Sequence, residues 1–286
     1  MFHPLLPFSR PTVTLTDPAL VQKLLEQDKV GSTTKGKVYR LVRPLIGDGL
    51  LAAAGVEHAR QRRTAELGFK LEALELTATT AATLMRTRYA PYVDARGASD
   101  VDVYELMLKL TLDVLGEVAF GADFNGLETG GLYEAFETVI FTLTVRTGQL
   151  PGAQFLPTAA NRKFDASLRQ LDDAVLSIVQ ARMSQRDRGD VTDTPRNDLL
   201  SAMLALDERG EPVMSLAEIC DNVKTFLFAG HDTTAAALTW WAPSELLASP
   251  SELLVSPSDE KVANRDIRVW HGVRRTAYDR KWSLND

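Results

Sequence analysis

The sequence holds one cysteine, Cys220, in 286 residues. That excludes an internal disulfide, and with no Asn-x-Ser/Thr acceptor in the chain nothing points to an oxidising secretory lumen. Long hydrophobic runs are missing as well: the longest apolar stretch, Gly49 to Val56, falls far short of the roughly 20 residues a membrane-spanning helix needs. The N-terminus, Met1-Phe2-His3-Pro4-Leu5-Leu6-Pro7, lacks the basic start and continuous apolar core of a signal peptide. As read, the chain is expected to be cytoplasmic, with no membrane span. Positive charge is not in excess either. Lys+Arg 32 against Asp+Glu 38 leaves a net charge of −6, whereas a nucleic-acid binder needs a basic face to neutralise phosphates, so no nucleic acid is expected as a partner. What is present, 45% hydrophobic and 24% charged residues, is the balance of a globular chain with a real core.

Strand signals are few. Thr12-Val13-Thr14-Leu15 is a short β-branched alternation, and nearly everything after it carries helical periodicity, so a mainly α fold with a minor N-terminal β element is expected. Asp17-Pro18 sets a capping residue before a proline suited to the first helical position, and Leu20, Val21, Leu24 and Leu25 follow on one face. Val103, Leu106, Met107, Leu110 and Val114 mark a second helix, and Leu168, Leu171, Val175, Ile178 and Val179 a third. Arg186 to Pro195 concentrates charge, Gly and Pro without a period and reads as an exposed loop. Ser215-Leu216-Ala217-Glu218 forms a capping box, and the helix it opens can run to Trp241 before Pro243 stops or kinks it.

Beyond Pro243 the character changes. Residues 244–250 and 251–257 are tandem heptads differing at one position, each ending in proline, which forbids a coiled coil. All four tryptophans fall at 240, 241, 270 and 282. Residues 1–250 are therefore taken as one domain, and residues 251–286 as an atypical tail expected to be disordered and cut first by proteases.

Inside the last helix lies a polar tetrad, Gly230-His231-Asp232-Thr233, in the frame Phe226-Leu227-Phe228-Ala229 before it and Thr234-Ala235-Ala236-Ala237 after it. An interior Gly costs about 1 kcal/mol relative to Ala, and Thr hydroxyls compete for helix carbonyls. Such a stretch is explained by a ligand: Gly230 would let a flat group approach the backbone, Asp232 could relay a proton and Thr233 could hydrogen-bond a species in a groove. It is equally explained by a helix broken at Gly230 and restarted with Asp232 as its cap. If the two side chains have no partner, truncating Asp232 or Thr233 to Ala costs no stability.

The stretch Ala229-Gly230-His231-Asp232-Thr233-Thr234 resembles the central helix of the cytochrome P-450 family of haem-thiolate monooxygenases, whose signature is Ala/Gly-Gly-x-Asp/Glu-Thr-Thr. Gly47-Asp48-Gly49-Leu50-Leu51 followed by Val56 to Arg63, the segment from Asp102 to Asn125, and Glu245 to Pro250 are similar to family segments too, particularly of eukaryotic microsomal-type members. The resemblance covers roughly residues 10 to 250. It implies a partial helical fold of that family and an O2-dependent oxidation of a hydrophobic small molecule, with haem as cofactor and a reductase as electron-supplying partner. Asp232 and Thr233 would deliver protons during oxygen activation, Ala229, Gly230 and Thr234 would line the haem site, and His58 and Arg62 would reach the haem propionates. On their own, His58-x-x-x-Arg62 with Arg60 and Arg63 reads as a solvated basic helix face.

Two family features are missing. The Phe-x-x-Gly-x-x-x-Cys-x-Gly loop that supplies the iron's thiolate does not occur, and neither does a Glu-x-x-Arg pair after the central helix. Glu57-x-x-Arg60 has that spelling but comes too early and is put down to chance. A member shortened at both ends, inactive and without stably bound haem, is the expectation; full-length relatives would be anchored in the endoplasmic reticulum membrane. The competing readings are a non-catalytic family remnant, a metal-dependent His-Asp phosphohydrolase using His231, Asp232 and His58, and a helical interaction module, which lacks the repeats of a solenoid.

Overall fold

Apolar residues recurring every three or four positions dictate long helices, and capping side chains set where they begin. A computed structural model of the chain describes residues 2–3, 12–27, 35–36, 39–97, 101–128, 131–146, 149, 152–187 and 198–241. The expected tail, the tandem heptads and most of the loop expected at 186–195 lie outside these residues. The expected β element is smaller than its signal: β1 (Phe2–His3) pairs antiparallel with β2 (Thr12–Val13), Phe2 opposite Val13, and Thr14 and Leu15 are not part of it.

The helices follow in order: α1 (Pro18–Gln27), α2 (Tyr39–Ile46), α3 (Gly55–Glu66), α4 (Leu71–Leu84), α5 (Ala90–Arg96), α6 (Val103–Leu115), α7 (Leu132–Arg146), α8 (Ala159–Asp187), α9 (Leu199–Met203) and α10 (Leu216–Trp241). A π-turn, Met85–Tyr89, joins α4 to α5, and a second, Gly116–Phe120, extends α6. The cap expected at Asp17 forms, and α6 has one at Asp102 as well. The Asp17 carboxylate accepts from Ala19 N at 2.7 Å, and Asp102 accepts from Tyr104 N at 2.9 Å and Glu105 N at 3.2 Å. Arg186 and Asp187, expected in the loop, instead finish α8, because the amphipathic period carries through to Arg186, whose Nη1 donates to Leu204 O at 2.9 Å.

The core forms where α10 meets its neighbours. Ile219, Val223 and Leu227 of α10 pack with Phe136, Val139 and Leu143 of α7 and with Leu171, Val175 and Val179 of α8. A second cluster joins Leu106, Met107, Leu110 and Val114 of α6 to Tyr89, Val93 and Ala235. Helix α1 departs from expectation: its apolar stripe is open, with Leu20 52%, Leu24 45% and Leu25 63% exposed, because no described element covers that face. Among the described residues no helix is long and apolar enough to cross a membrane.

Candidate site on the central helix

Helix α10 runs unbroken through the tetrad, which removes the reading in which it stops at Gly230 and restarts at Asp232. The capping box closes both ways: Ser215 N donates to Glu218 Oε2 at 2.8 Å and Glu218 N donates to Ser215 Oγ at 3.3 Å. The tetrad is then distributed around the helix by its 3.6-residue period. Ala229, Thr233, Thr234 and Ala237 are exposed on one side, Asp232 and Gly230 sit half-buried, and His231 is fully buried. The Thr233 hydroxyl donates to Ala229 O at 2.7 Å. His231 places Nδ1 against the Leu227 carbonyl, and its ring lies 5.2 Å from that of Phe136.

Helix α6 holds the buried side of the tetrad. A methyl group built on Gly230 would come 2.8 Å from Leu115 Cδ2, so the close approach that Gly230 permits here is that of a neighbouring helix. One turn earlier, Thr111 Oγ1 lies 3.0 Å from His231 O as well as 2.8 Å from Met107 O, with one proton to donate between them. At the far end of the stripe the Tyr104 hydroxyl donates to Asp232 Oδ1 at 2.6 Å. Burial and the adjoining Asp232 carboxylate push the Tyr104 phenol well above its ordinary range, so it stays protonated and donates. Tyr104 and Thr111 went unnoticed in the sequence. The signal was there: Tyr104, Leu108, Thr111 and Leu115 recur at i, i+4, i+7 and i+11.

The Gly47-Asp48-Gly49 turn and α3 attach to the other end of α10. Asp48 N donates to Asp221 Oδ2 at 2.9 Å and Leu50 N to Asn222 Oδ1 at 3.0 Å. Gln61 Nε2 reaches Asp48 O at 3.2 Å, and Asn222 Nδ2 reaches Gln61 Oε1 at 3.2 Å. Gly49 has to be glycine, because a methyl there would come 2.3 Å from Thr225 Oγ1 and 2.7 Å from the Asp221 carbonyl oxygen. Glu57 and Arg60, whose Glu-x-x-Arg spelling is put down to chance, form an ion pair. Arg60 forks onto Glu57 Oε2 at 2.7 and 3.1 Å, bridges to Glu218, and donates to Val213 O at 3.0 Å. The rest of the α3 face is mixed in its exposure. Arg62 is exposed and pairs with Glu66 at 2.8 Å. His58 is half-buried, its pKa lowered by burial and then by the nearby Lys35 and Arg62 cations. The structure therefore brings Asp232, Thr233, Thr234, Ala229 and Gly230 together on one helix. It ties α3 to that helix at Glu218 and Asn222, the latter seven residues or roughly 10 Å before Ala229.

The residues present do not fit a thiolate-ligated haem. Cys220 is nine residues from Ala229 on the same helix, about two and a half turns, and so faces the opposite side. It packs against the core, and burial pushes its thiol pKa up rather than towards thiolate. The hydrolase reading finds no support: His231 is enclosed by core side chains, and among the described residues no group of three His, Cys, Asp or Glu could hold a metal ion.

Residues 5–250 match the family described as Cytochrome P450. The chain is 29% identical over 238 residues to Cytochrome P450 72A11 of Arabidopsis thaliana, spanning 80% of this chain and 45% of that protein. It is 32% identical over 236 residues to the cyclooctatin synthase of Streptomyces melanosporofaciens, spanning 81% and 49%. Among solved structures, the cytochrome P450DA heme domain superposes with a TM-score of 0.60 at 25% identity, covering 83% of this chain and 50% of that one. The chain thus spans about half the length of the relatives it matches. With that match and the capped, unbroken central helix, the chain belongs to the cytochrome P450 family.

Proposed function

We propose that the described residues form the oxygen-activating, substrate-facing half of a monooxygenase that oxidises a hydrophobic small molecule with O2 and reductase-supplied electrons, and that this chain alone does not bind haem through a thiolate. The observation that carries the first part is the course of α10. It stays helical through Ala229 to Thr234 although Gly and Thr weaken it, and it presents Ala229, Thr233 and Thr234 on an uncovered face. Asp232, tethered at Oδ1, is a carboxylate at the border of that face, and Thr233, bonded to Ala229 O, is a hydroxyl whose lone pairs remain to accept. Together they can hold and hand on protons at adjacent positions. The family's haem, when bound, supplies the oxygen chemistry.

The second part rests on Cys220 facing the wrong way, and it favours a non-catalytic relative as the alternative reading of the same chain. The substrate stays at the level of its class. Relatives bear names as different as cytokinin hydroxylase and cyclooctatin synthase, and an apolar pocket does not spell its ligand. The test is the spectrum of the purified chain reconstituted with haem and reduced under carbon monoxide. No thiolate-type band is expected; the red-shifted Soret band of thiolate-ligated haem would overturn the second part.

A further inference from the structure

We propose that Tyr104 is the positioning residue for Asp232: its phenol fixes the direction of that carboxylate and takes up one of its oxygens, leaving Oδ2 as the oxygen that carries a proton. This rests on the reading of Asp232 as a proton-handling group. It adds a residue from a different helix that no tetrad pattern contains.

The geometry has three parts. The Tyr104 hydroxyl donates to Asp232 Oδ1 at 2.6 Å, the short distance of an O–H···O⁻ bond, across 128 positions of sequence. Tyr104 itself is fixed in the first turn of α6, where its amide donates to the Asp102 carboxylate at 2.9 Å. Along the same face of α6, Thr111 reaches the His231 carbonyl and Leu115 fills the notch at Gly230, so α6 and α10 are held in register at three consecutive residues of the tetrad. A carboxylate on an exposed helix face would sample several rotamers at a cost in entropy when one is required. With the phenol bonded, the Asp232 side chain has one direction before anything arrives, which is how proton-handling groups are pre-organised. Charge on Asp232 from α10, Glu137 from α7 and Asp102 from its own helix start adds to burial in raising the Tyr104 phenol, and Asp232 accepts its proton.

The test is made on the haem-free chain, so it stands apart from the carbon monoxide experiment that judges the functional reading. Phenols that donate to a carboxylate absorb to the red of solvated ones. The near-UV difference spectrum of the parent minus Tyr104→Phe should therefore show a red-shifted phenol at neutral pH, and the shift should disappear as acid protonates the carboxylate. In Asp232→Ala, which removes the acceptor, the red-shifted component should be lost at every pH. Tyr104→Phe keeps the ring in place, and the double variant with Asp232→Ala gives the coupling. The two single changes together should shift the unfolding equilibrium by about tenfold more than the double variant does, the size of a charge-assisted bond of about 1.4 kcal/mol. A red-shifted phenol that persists in Asp232→Ala, or one that does not respond to acid, would assign the Tyr104 proton to another acceptor and overturn the proposal. Strict additivity of the two changes would do the same.

Discussion

Replacing Tyr89 with phenylalanine should destabilise the chain by an amount that depends on pH. Asp113 is the reason. Its side chain is 1% exposed, and its carboxylate accepts from the Tyr89 hydroxyl at 2.7 Å, from Gly126 N at 2.8 Å and from Arg88 Nη1 at 3.2 Å. Burial pushes the Asp113 carboxyl above the ordinary aspartate range, and these three donors offset only part of that. Tyr89→Phe keeps the buried ring and deletes one donor to a charge, worth about 1.5–3 kcal/mol. At about 2–4 °C per kcal/mol for a chain of this size, Tm should fall by roughly 3–12 °C. The sign with pH follows from linkage. The folded state already holds its Asp113 proton more tightly than the unfolded chain, so this group contributes most at low pH and its contribution is lost as pH rises through the folded value. Removing the phenol raises that value further. The charge-dependent part of the loss is therefore absent in strong acid and appears as pH rises through the raised folded value. Urea midpoints of parent and variant across that range measure it. An equal loss at pH 7 and in acid, or none at pH 7, would refute the account of Asp113 as a buried anion stabilised by the phenol.

Gly49→Ala should cost about 1–3 kcal/mol by overpacking, because the new methyl meets Thr225 Oγ1 and the Asp221 backbone rather than a movable chain end; an unchanged denaturant midpoint would show that the turn simply moves aside. Thr233→Ala and Asp232→Ala should part company in the same assay. The first removes an exposed hydroxyl bonded only to its own helix and should be neutral or gain a few tenths of a kcal/mol. The second leaves the half-buried Tyr104 hydroxyl without its acceptor, at about 1–3 kcal/mol. Equal midpoints for the two would show that Asp232 is not the acceptor that holds the Tyr104 hydroxyl.

The difference between Asp232 and Thr233 shows what could be read from the chain. Period and caps are enough to locate α6, α8 and α10, since Leu171, Val175 and Val179, or Ser215 with Glu218, interact within one helix. The tetrad is legible for the same reason: it is a contiguous violation of helix propensity. Its partners are not. Tyr104 meets Asp232, and Leu115 meets Gly230, only because two helices distant in sequence lie side by side. That Arg60 also meets Glu218 is hidden for the same reason, since that carboxylate comes 158 positions later. The α1 stripe failed in the opposite sense: the helix formed from its cap and its period, but burial needs a second surface, and periodicity says nothing of whether one is within reach.

The π-turn between α4 and α5 sets how this part of the chain can tolerate insertion and deletion. Up to Leu84 the helix turns Thr80 and Leu84 inward; the next inward residue is Tyr89, five positions on rather than three or four. The widening falls just before Pro91, whose ring would otherwise press on the Thr87 carbonyl. It also aims Arg88 at both Asp113 and Asp123, the latter through two bonds of 2.8 and 2.9 Å, and Tyr89 at Asp113. Losing one residue between 85 and 87 would restore the α period and leave Tyr89 facing inward, now four positions after Leu84. Tightening the turn to the α period without losing a residue would instead rotate everything after it by about 100° and carry the two side chains that bond the buried aspartate to another face.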